Sequence, residues 1–409
     1  MVFTFCKRSG HLVKKDANVT PSKRISAITG QGSDGWEVFY RSRAMIAKGI
    51  DVVELTIGEH DIRTDPQILD AMHAAALAGA TGYSLVRGHP KLRETIAARI
   101  QSQSGVATEP EHVLITPGGQ AALFAAHMAA CDPEDIAVHI DPYYATYPTT
   151  IRAAGAHPFA IQTQAQNEFC PTYDDLNQAP QGARSLLVNS PNNPTGTVYG
   201  PDTIDDICRF VCDRDMWLIS DEVYDTQVWQ GSHITPRNSP HMAERTMVVG
   251  SLSKSHAMTG SRLGWVVAPV DVIEKINDLV TTTTFGVAEF IQLAGLFALG
   301  LGPEFENQIA APFRRRREIA LKILQDFPDI TTVPPSGAMY LMVDLRKTGL
   351  SGEAFANRLL EDHHIAVMPG ESFGHAAAGH IRVALTIDDA RFAEAFRTLC
   401  AYAQGIVDG

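Results

Sequence analysis

The sequence predicts an α/β protein in which a large unit, built on a mostly parallel sheet between helices, is joined to a smaller α+β unit. Three observations carry this. The 409 residues are roughly two to three times the length of an ordinary domain. From residue 51 to 268 short β-rich runs alternate with amphipathic helical stretches, as they do when helices cross between parallel strands. After residue 270 long helical stretches come first and a cluster of β-rich runs follows.

Taken in order, the first ~50 residues hold a polar arm and a helix around 36–48, too short to fold alone. They are expected to pack against the C-terminal unit. Thr64 and Asp65 can cap the next helix, with Pro66 in its first turn and Gly79 as its end, and Pro90 and Gly105 bracket another. Runs at 112–116, 135–140, 184–189, 216–221 and 246–251 read as strands. Beyond them lie the helical stretch 303–327, the apolar run 338–345, a helix near 352–363 and strands at 365–368 and 380–385. The four arginines at 314–317 read as a solvated helix face. We divide the chain into an arm and helix (1–57) that belong with the small domain, a large domain (58–290) and a C-terminal small domain (291–409).

Composition narrows the function. Hydrophobic residues make up 45% and charged ones 20%, which excludes disorder, collagen-like repetition and coiled coil. With 34 Lys+Arg against 46 Asp+Glu the net charge is −12, so no nucleic acid and no membrane surface is expected as partner. A local pocket for a small anion remains open. No apolar run approaches the roughly 18 residues of a membrane span, and the N-terminus carries charges where a signal peptide keeps its apolar stretch, so the protein is read as cytoplasmic. Cys6, Cys131, Cys170, Cys208, Cys212 and Cys400 are read as free thiols. Cys208 and Cys212 lie one helical turn apart, but with no second Cys/His pair nearby they are expected to be half-buried core thiols, and no metal site is expected.

In open α/β sheets ligands sit beyond the C-terminal ends of the strands, and several ends here are chemically loaded. The run 112–116 leads through Pro117, Gly118, Gly119 and Gln120 into a helix whose first N–H groups can receive a phosphate. A dinucleotide fingerprint would want a third glycine, which is absent, and a plain tight turn remains the alternative. Asp221 ends another strand as a helix cap, a metal ligand or, best, the partner of a cationic ring nitrogen. Tyr224 either faces the same cleft or packs beneath the sheet. Lys254, between Ser253 and Ser255, sits where burial and the nearby Arg262 lower an amine's pKa, the condition for a nucleophile that forms a Schiff base. Ser251 and Arg262 suit a phosphate; a loop lysine paired with a phosphate or carboxylate is the plainer alternative.

Together the blocks LTIGEHD, YSLVRGHPKLRE, TPGGQAALF, DPYYATYP, NSPNNPTG, SDEVYD, SLSKSHAMTGSRLGW, PSGAMYLMVDL, VMPGESFG and HIRVAL resemble the fold-type I aminotransferases of the aspartate aminotransferase superfamily, which use pyridoxal phosphate. The resemblance runs nearly end to end. It implies a seven-stranded sheet in a large domain that binds the cofactor. It also implies that Lys254 carries the Schiff base and then shuttles the proton between Cα and the cofactor, that Asp221 pairs with the pyridinium nitrogen, that Tyr224 and Asn193 bond the phenolic oxygen, and that Tyr144 stacks on the ring. The phosphate is expected among Gly119, Gln120, Ser251, Ser253 and Arg262, with Tyr83 reaching in from a second subunit, which makes the enzyme a homodimer with shared active sites. Arg382 is expected to clamp the substrate α-carboxylate, assisted by Gly58 and Asn193; without the resemblance it reads equally well as an edge-strand surface arginine.

Departures bear on the substrate. Tyr144 and His60 stand where many relatives have Trp and Pro, which retains stacking and turn character but reshapes the mouth. Gln120 stands where aspartate-specific relatives have Lys, and a neutral amide leaves a buried side-chain carboxylate poorly compensated. Aspartate is therefore not the expected donor. The stretches WEVFYRSRA, SLSKSHAMTGSRLGWVV, EFIQLAG, MVDLRKTGLSGEAFANRLL and PGESFGHAAAGHIR are most similar to arginine:pyruvate transaminases, and Asp34 and Glu289 are the named candidates for contact with a cationic donor. The expected activity is a ping-pong transfer of an amino group from an amino acid, arginine among the candidates, to a 2-oxo acid such as pyruvate. A carbon–sulfur β-lyase on the same scaffold is the alternative. A ligand-sensing regulator would need a DNA-binding domain that the arm does not provide.

Overall fold

The computed structural model describes residues 20–30 and 36–409; most of the polar arm and Asp34 lie outside the described residues. Asp65 caps helix Pro66–Leu77 by accepting from the Gln67 N–H at 2.8 Å, and Gly105 ends helix Pro90–Ser104 in a left-handed conformation, both as the sequence suggests. Thr64 does not cap; its hydroxyl donates to the Ala257 carbonyl at 2.7 Å.

Strand β1 (Val53–Leu55) belongs to a small sheet described below. The large sheet contains β2 (Val113–Thr116), β3 (Ile136–Asp141), β4 (His157–Gln162), β5 (Ser185–Asn189), β6 (Trp217–Asp221), β7 (Thr246–Ser251) and β8 (Gly264–Val267). Their order is β2-β8-β7-β6-β5-β3-β4. Pairing is parallel from β7 through β4, and β8 runs antiparallel to both its neighbours. The sheet is thus seven-stranded and mostly parallel, as expected. Two of its strands escaped the reading of β-rich runs. Pro158 interrupts the edge strand β4, and β8 is a four-residue run beginning with glycine, so neither shows the periodicity that marks a strand.

The remaining strands are β9 (Thr331–Thr332), β10 (Tyr340–Asp344), β11 (Ile365–Pro369) and β12 (His380–Ala384), which together with β1 form a five-stranded sheet in the order β1-β11-β12-β10-β9. Helix Glu37–Ala47 lies against β11, with Val38 in this sheet's apolar core. Helix Glu289–Gly300 packs elsewhere: Ala294 and Ala298 join the core beneath β2, β7 and β8.

The arginine cluster is not a solvated face. In helix Gly302–Leu324 Arg314 and Arg315 are exposed, but Arg316 and Arg317 are 3% and 4% exposed. The helical period places these two on the face that carries Ile309, Phe313 and Ala320, where Arg316 is bonded to Asp61 and Asp389. The paired thiols differ as well: Cys208 is buried with Ile204, Ile207 and Val211, whereas Cys212 lies just off that stripe and is exposed. The described cysteines are free, and among the described residues no His/Cys/Asp/Glu group could hold a metal and no helix is long and apolar enough to cross a membrane.

Candidate active site

Four neighbouring parallel strands end in Asp141, Asn189, Asp221 and Ser251. The last three line a cavity of about 380 Å³ between the two sheets, closed from the small-sheet side by Tyr340 of β10 and Arg382 of β12. Every residue expected to hold the cofactor or the substrate carboxylate lies on its wall except Tyr83.

Lys254 follows β7 in a single helical turn, Leu252–Ser255. Ser251 opens that turn, its Oγ accepting from the Ser253 N–H at 3.0 Å and donating to the Leu263 carbonyl at 3.0 Å. The turn aims Lys254 into the cavity, where Nζ donates to the Gly58 carbonyl. Burial pushes the ammonium below its ordinary pKa; Arg382 and Arg262 act the same way, against Tyr340 and Glu59. Gly58 allows this approach because a Cβ there would lie 1.7 Å from the Tyr340 hydroxyl.

Asp221 is buried beside Tyr147, whose hydroxyl donates to Oδ2 at 2.7 Å, and the Val223 N–H donates to Oδ1 at 3.3 Å. Burial still raises the carboxyl to about 6, with Glu222 adding to the rise. Among the described residues no lysine, arginine or histidine forms an ion pair with it. A carboxylate this deep is short of a positive partner.

Arg382 is buried in the middle of the small sheet, between β11 and β10, which rules out the reading as an edge-strand surface arginine. Nη1 donates to Asn193 Oδ1 at 2.8 Å, Nη2 donates to the Thr56 carbonyl, and the guanidinium lies 4.5 Å from the Tyr340 ring and 4.3 Å from the Phe373 ring. Nε is buried without a partner. Tyr224 faces the cleft rather than packing beneath the large sheet: its ring packs in the small-sheet core, and its hydroxyl lies 2.9 Å from that of Tyr340 on the cavity wall.

At the opposite end helix Gly119–Ala130 begins at the cavity wall with no side-chain cap, which leaves its first N–H groups for an anion. Gly118 makes the turn at φ 81°, and a Cβ there would lie 2.4 Å from the Arg262 guanidinium. Gln120 is held as a neutral amide, donating to Thr150 Oγ1 at 2.6 Å and accepting from Thr146 Oγ1 at 3.0 Å. Tyr144 lines the wall, its ring 5.7 Å from that of Tyr147.

Tyr83 stands 91% exposed against Phe285, and Glu289 opens a helix away from this cavity. His60 is not at the mouth but buried behind Lys254, with Nε2 2.9 Å from the lysine's carbonyl oxygen. The sequence reading missed Asn189, Tyr147, Tyr340 and Glu59. Asn189 carried the same strand-end signal as Asp221; Tyr147 and Tyr340 carried none, since one starts a helix and the other sits in a strand of the second sheet.

The family model for aminotransferases of class I and II matches residues 50–399. The chain is 38% identical over 379 residues to an arginine–pyruvate transaminase of Pseudomonas aeruginosa, covering 91% of this chain and 96% of the relative. It is 34% identical over 341 residues to an aspartate/prephenate aminotransferase of Thermus thermophilus, covering 82% and 87%. Among solved structures, a double mutant of Thermus thermophilus aspartate aminotransferase is similar with a TM-score of 0.88 at 31% identity, over 93% of this chain and 99% of that one. An aromatic aminotransferase of Pyrococcus horikoshii is similar with a TM-score of 0.82 at 29% identity, over 88% and 98%. These relatives are transaminases, and the lyase alternative is set aside. With a desolvated amine, a buried carboxylate and a half-satisfied arginine around one cavity at the strand ends, this chain belongs to the class I and II aminotransferases, enzymes that transfer amino groups.

Proposed function

We propose that this aminotransferase uses pyridoxal phosphate, acts as a cytoplasmic homodimer and moves the amino group of a cationic amino acid, arginine, to a 2-oxo acid such as pyruvate by ping-pong. The observation that carries this reading is one cavity holding four unmet demands: the desolvated amine of Lys254, Asp221 with no ion pair among the described residues, the uncapped helix start at Gly119 and the unpartnered Nε of Arg382. They fit an aldehyde, a ring nitrogen, a phosphate and a substrate carboxylate in turn. When bound, the cofactor supplies an aldehyde that holds the amino group and a cationic ring that accepts the electrons left at Cα.

The chain supplies the rest. Asp221, oriented by Tyr147, balances the ring cation, and each charge offsets the other's desolvation. Tyr224 and Asn193 bond the phenolic oxygen, and Tyr144 covers the ring face. The N–H groups of Gly119 and Gln120, the hydroxyls of Ser251 and Ser253, and Arg262 receive the phosphate, together with Tyr83 of the partner subunit. The exposed Tyr83, Leu85 and Phe285 are the surface a second copy covers. Arg382 would fork the α-carboxylate next to Asn193 and the Gly58 backbone, and Lys254 Nζ would accept the proton from Cα and hold it for delivery across the nitrogen to the cofactor's aldehyde carbon. The free thiols of the described residues agree with a reducing cytoplasm.

Glu59 supports the cationic donor. Its carboxylate is on the cavity wall and accepts from Thr259 Oγ1 at 3.3 Å, while Gln120 contributes no positive charge. Half-reactions of the holoenzyme with arginine, aspartate, alanine and phenylalanine, followed by the cofactor's absorbance, test the donor. Arginine is expected to react fastest, and Glu59→Gln to lower its rate about tenfold with little change for alanine. Arginine among the slowest would remove this donor while leaving the reaction class intact. Undiminished turnover in Lys254→Ala would remove the cofactor reading itself.

A further inference from the structure

The segment 56–64 lies between the strand that carries Arg382 and the turn that carries Lys254, and it is bonded to both. On the small-sheet side Arg382 Nη2 donates to the Thr56 carbonyl, Thr386 Oγ1 donates to the Ile57 carbonyl at 3.3 Å, and Arg316 grips both Asp61 oxygens at 3.0 and 2.7 Å. The same Arg316 reaches the Leu385 carbonyl at 3.0 Å and Asp389 Oδ1 at 2.8 Å. On the lysine side the Gly58 carbonyl accepts from Nζ, His60 Nε2 meets the Lys254 carbonyl at 2.9 Å, and Thr64 donates to the Ala257 carbonyl at 2.7 Å. Gln227 reaches the Lys254 carbonyl only at 3.5 Å. Lys254 is therefore held at both its amine and its backbone by one loop, and that loop is bonded to the strand that carries Arg382.

We propose that His60 is a positioning residue for Lys254, and that the Asp61–Arg316–Asp389 latch transmits the position of the carboxylate-binding strand to the lysine through it. This rests on the reading of Lys254 as the cofactor lysine. A carbonyl can only accept, so the His60 ring carries a proton on Nε2. Its Nδ1 is buried without a partner and its ring edge meets Phe313 at 5.2 Å. Lys254 and Arg316 both disfavour a second proton, and burial, the larger cause, holds the ring down to about 3. An apolar residue could fill this volume but could not donate the bond. Tyr340, Arg382, Glu59, Arg262 and Asp221 also face Lys254, and they stay in place in the variants below.

The test uses the holoenzyme and two readouts: the pH titration of the lysine-bound cofactor's visible absorbance, and saturating half-reaction kinetics. His60→Leu is expected to displace the titration midpoint by roughly half a pH unit and to slow the first-order step about fivefold with the donor's half-saturation unchanged. His60→Gln, which keeps a donor, is expected to restore both. Asp61→Asn, at the more exposed end of the latch, is expected to move both readouts in the same direction as His60→Leu and less far. Wild-type titration and rate in a folded, cofactor-loaded His60→Leu would reduce His60 to packing and overturn the proposal. If that variant does not fold, Asp61→Asn with wild-type values in both readouts overturns it instead. An unmutated protein with no titrating lysine-bound absorbance would mark failure of the cofactor reading rather than of this one.

Discussion

Asp221, as the proposed partner of a ring cation, is a single buried charge on which cofactor affinity should depend. Its carboxyl already sits at about 6 with Tyr147 donating to it at 2.7 Å. Tyr147→Phe removes that donor and leaves the Val223 N–H, so the carboxyl of the free chain rises further and a larger share of Asp221 is protonated at neutral pH. Binding the cofactor must then ionise it. Cofactor affinity is expected to fall roughly tenfold at pH 7 and to recover as pH rises, measured by dissociation of the bound chromophore across pH. Arg382 gives a second case. Lysine in its place cannot fork a carboxylate or bond Asn193 and Thr56 together, so Arg382→Lys is expected to raise half-saturation for amino-acid donors about a hundredfold. A decarboxylated amine donor should be equally poor with both proteins, and a loss there too would mean the site had collapsed. Most of these side chains were legible because chemistry at strand ends and specific short blocks announce themselves. Tyr147 and Tyr340 were not, since nothing local tells a core tyrosine from one whose hydroxyl meets a cavity.

Among the elements, the turn between β2 and helix Gly119–Ala130 does the most with the fewest atoms. Gly118 adopts φ 81°, and a Cβ would strike the Arg262 guanidinium at 2.4 Å. Gly118→Ala therefore adds backbone strain and displaces Arg262 from the helix start. We expect a loss of about 1–3 kcal/mol in stability and weaker binding of inorganic phosphate to the cofactor-free protein, both read by thermal melts with and without phosphate. The sequence anticipated this turn but left it open between a cradle and a plain bend, and the facing Arg262 supports the cradle we propose. Helix Gly302–Leu324 misled for a related reason. Four consecutive arginines look solvent-facing, yet consecutive helical residues span every face, and two of the four point inward, Arg316 to carboxylates about 70 and 255 residues away in sequence and Arg317 to the Pro335 carbonyl. Charge composition cannot report such partners.

For the molecule as a whole, buried histidines set the response to acid. Desolvation holds His60 and His139 down to about 3 and His127 and His256 down to about 4, against about 6.5 in an unfolded chain. Between those limits the unfolded chain binds protons that the native one refuses, so this stability is complete above pH 6.5 and is lost as pH falls toward 4. Asp141 and Asp221 work the other way: burial raises both to about 6, so the native state gains protons first and is favoured as pH falls from 6 toward 4. His233, raised by its contact with Glu222 despite burial, acts above pH 6.5 and does not enter this window. Four groups oppose two, each contributing about 1.4 kcal/mol per pH unit, and a net loss of roughly 1–3 kcal/mol per unit is expected between pH 6 and 5. A ring cation placed beside Asp221, as proposed, would keep it ionised in the holoenzyme and remove one of the two offsetting groups, so the decline should be steeper with cofactor bound than without it. Denaturant titrations at pH 7, 6 and 5 on both forms measure this. A cofactor-free protein that loses stability faster than the holoenzyme would contradict the assignment of Asp221 as the cation's partner, because no other carboxylate on the cavity wall is buried enough to change the balance.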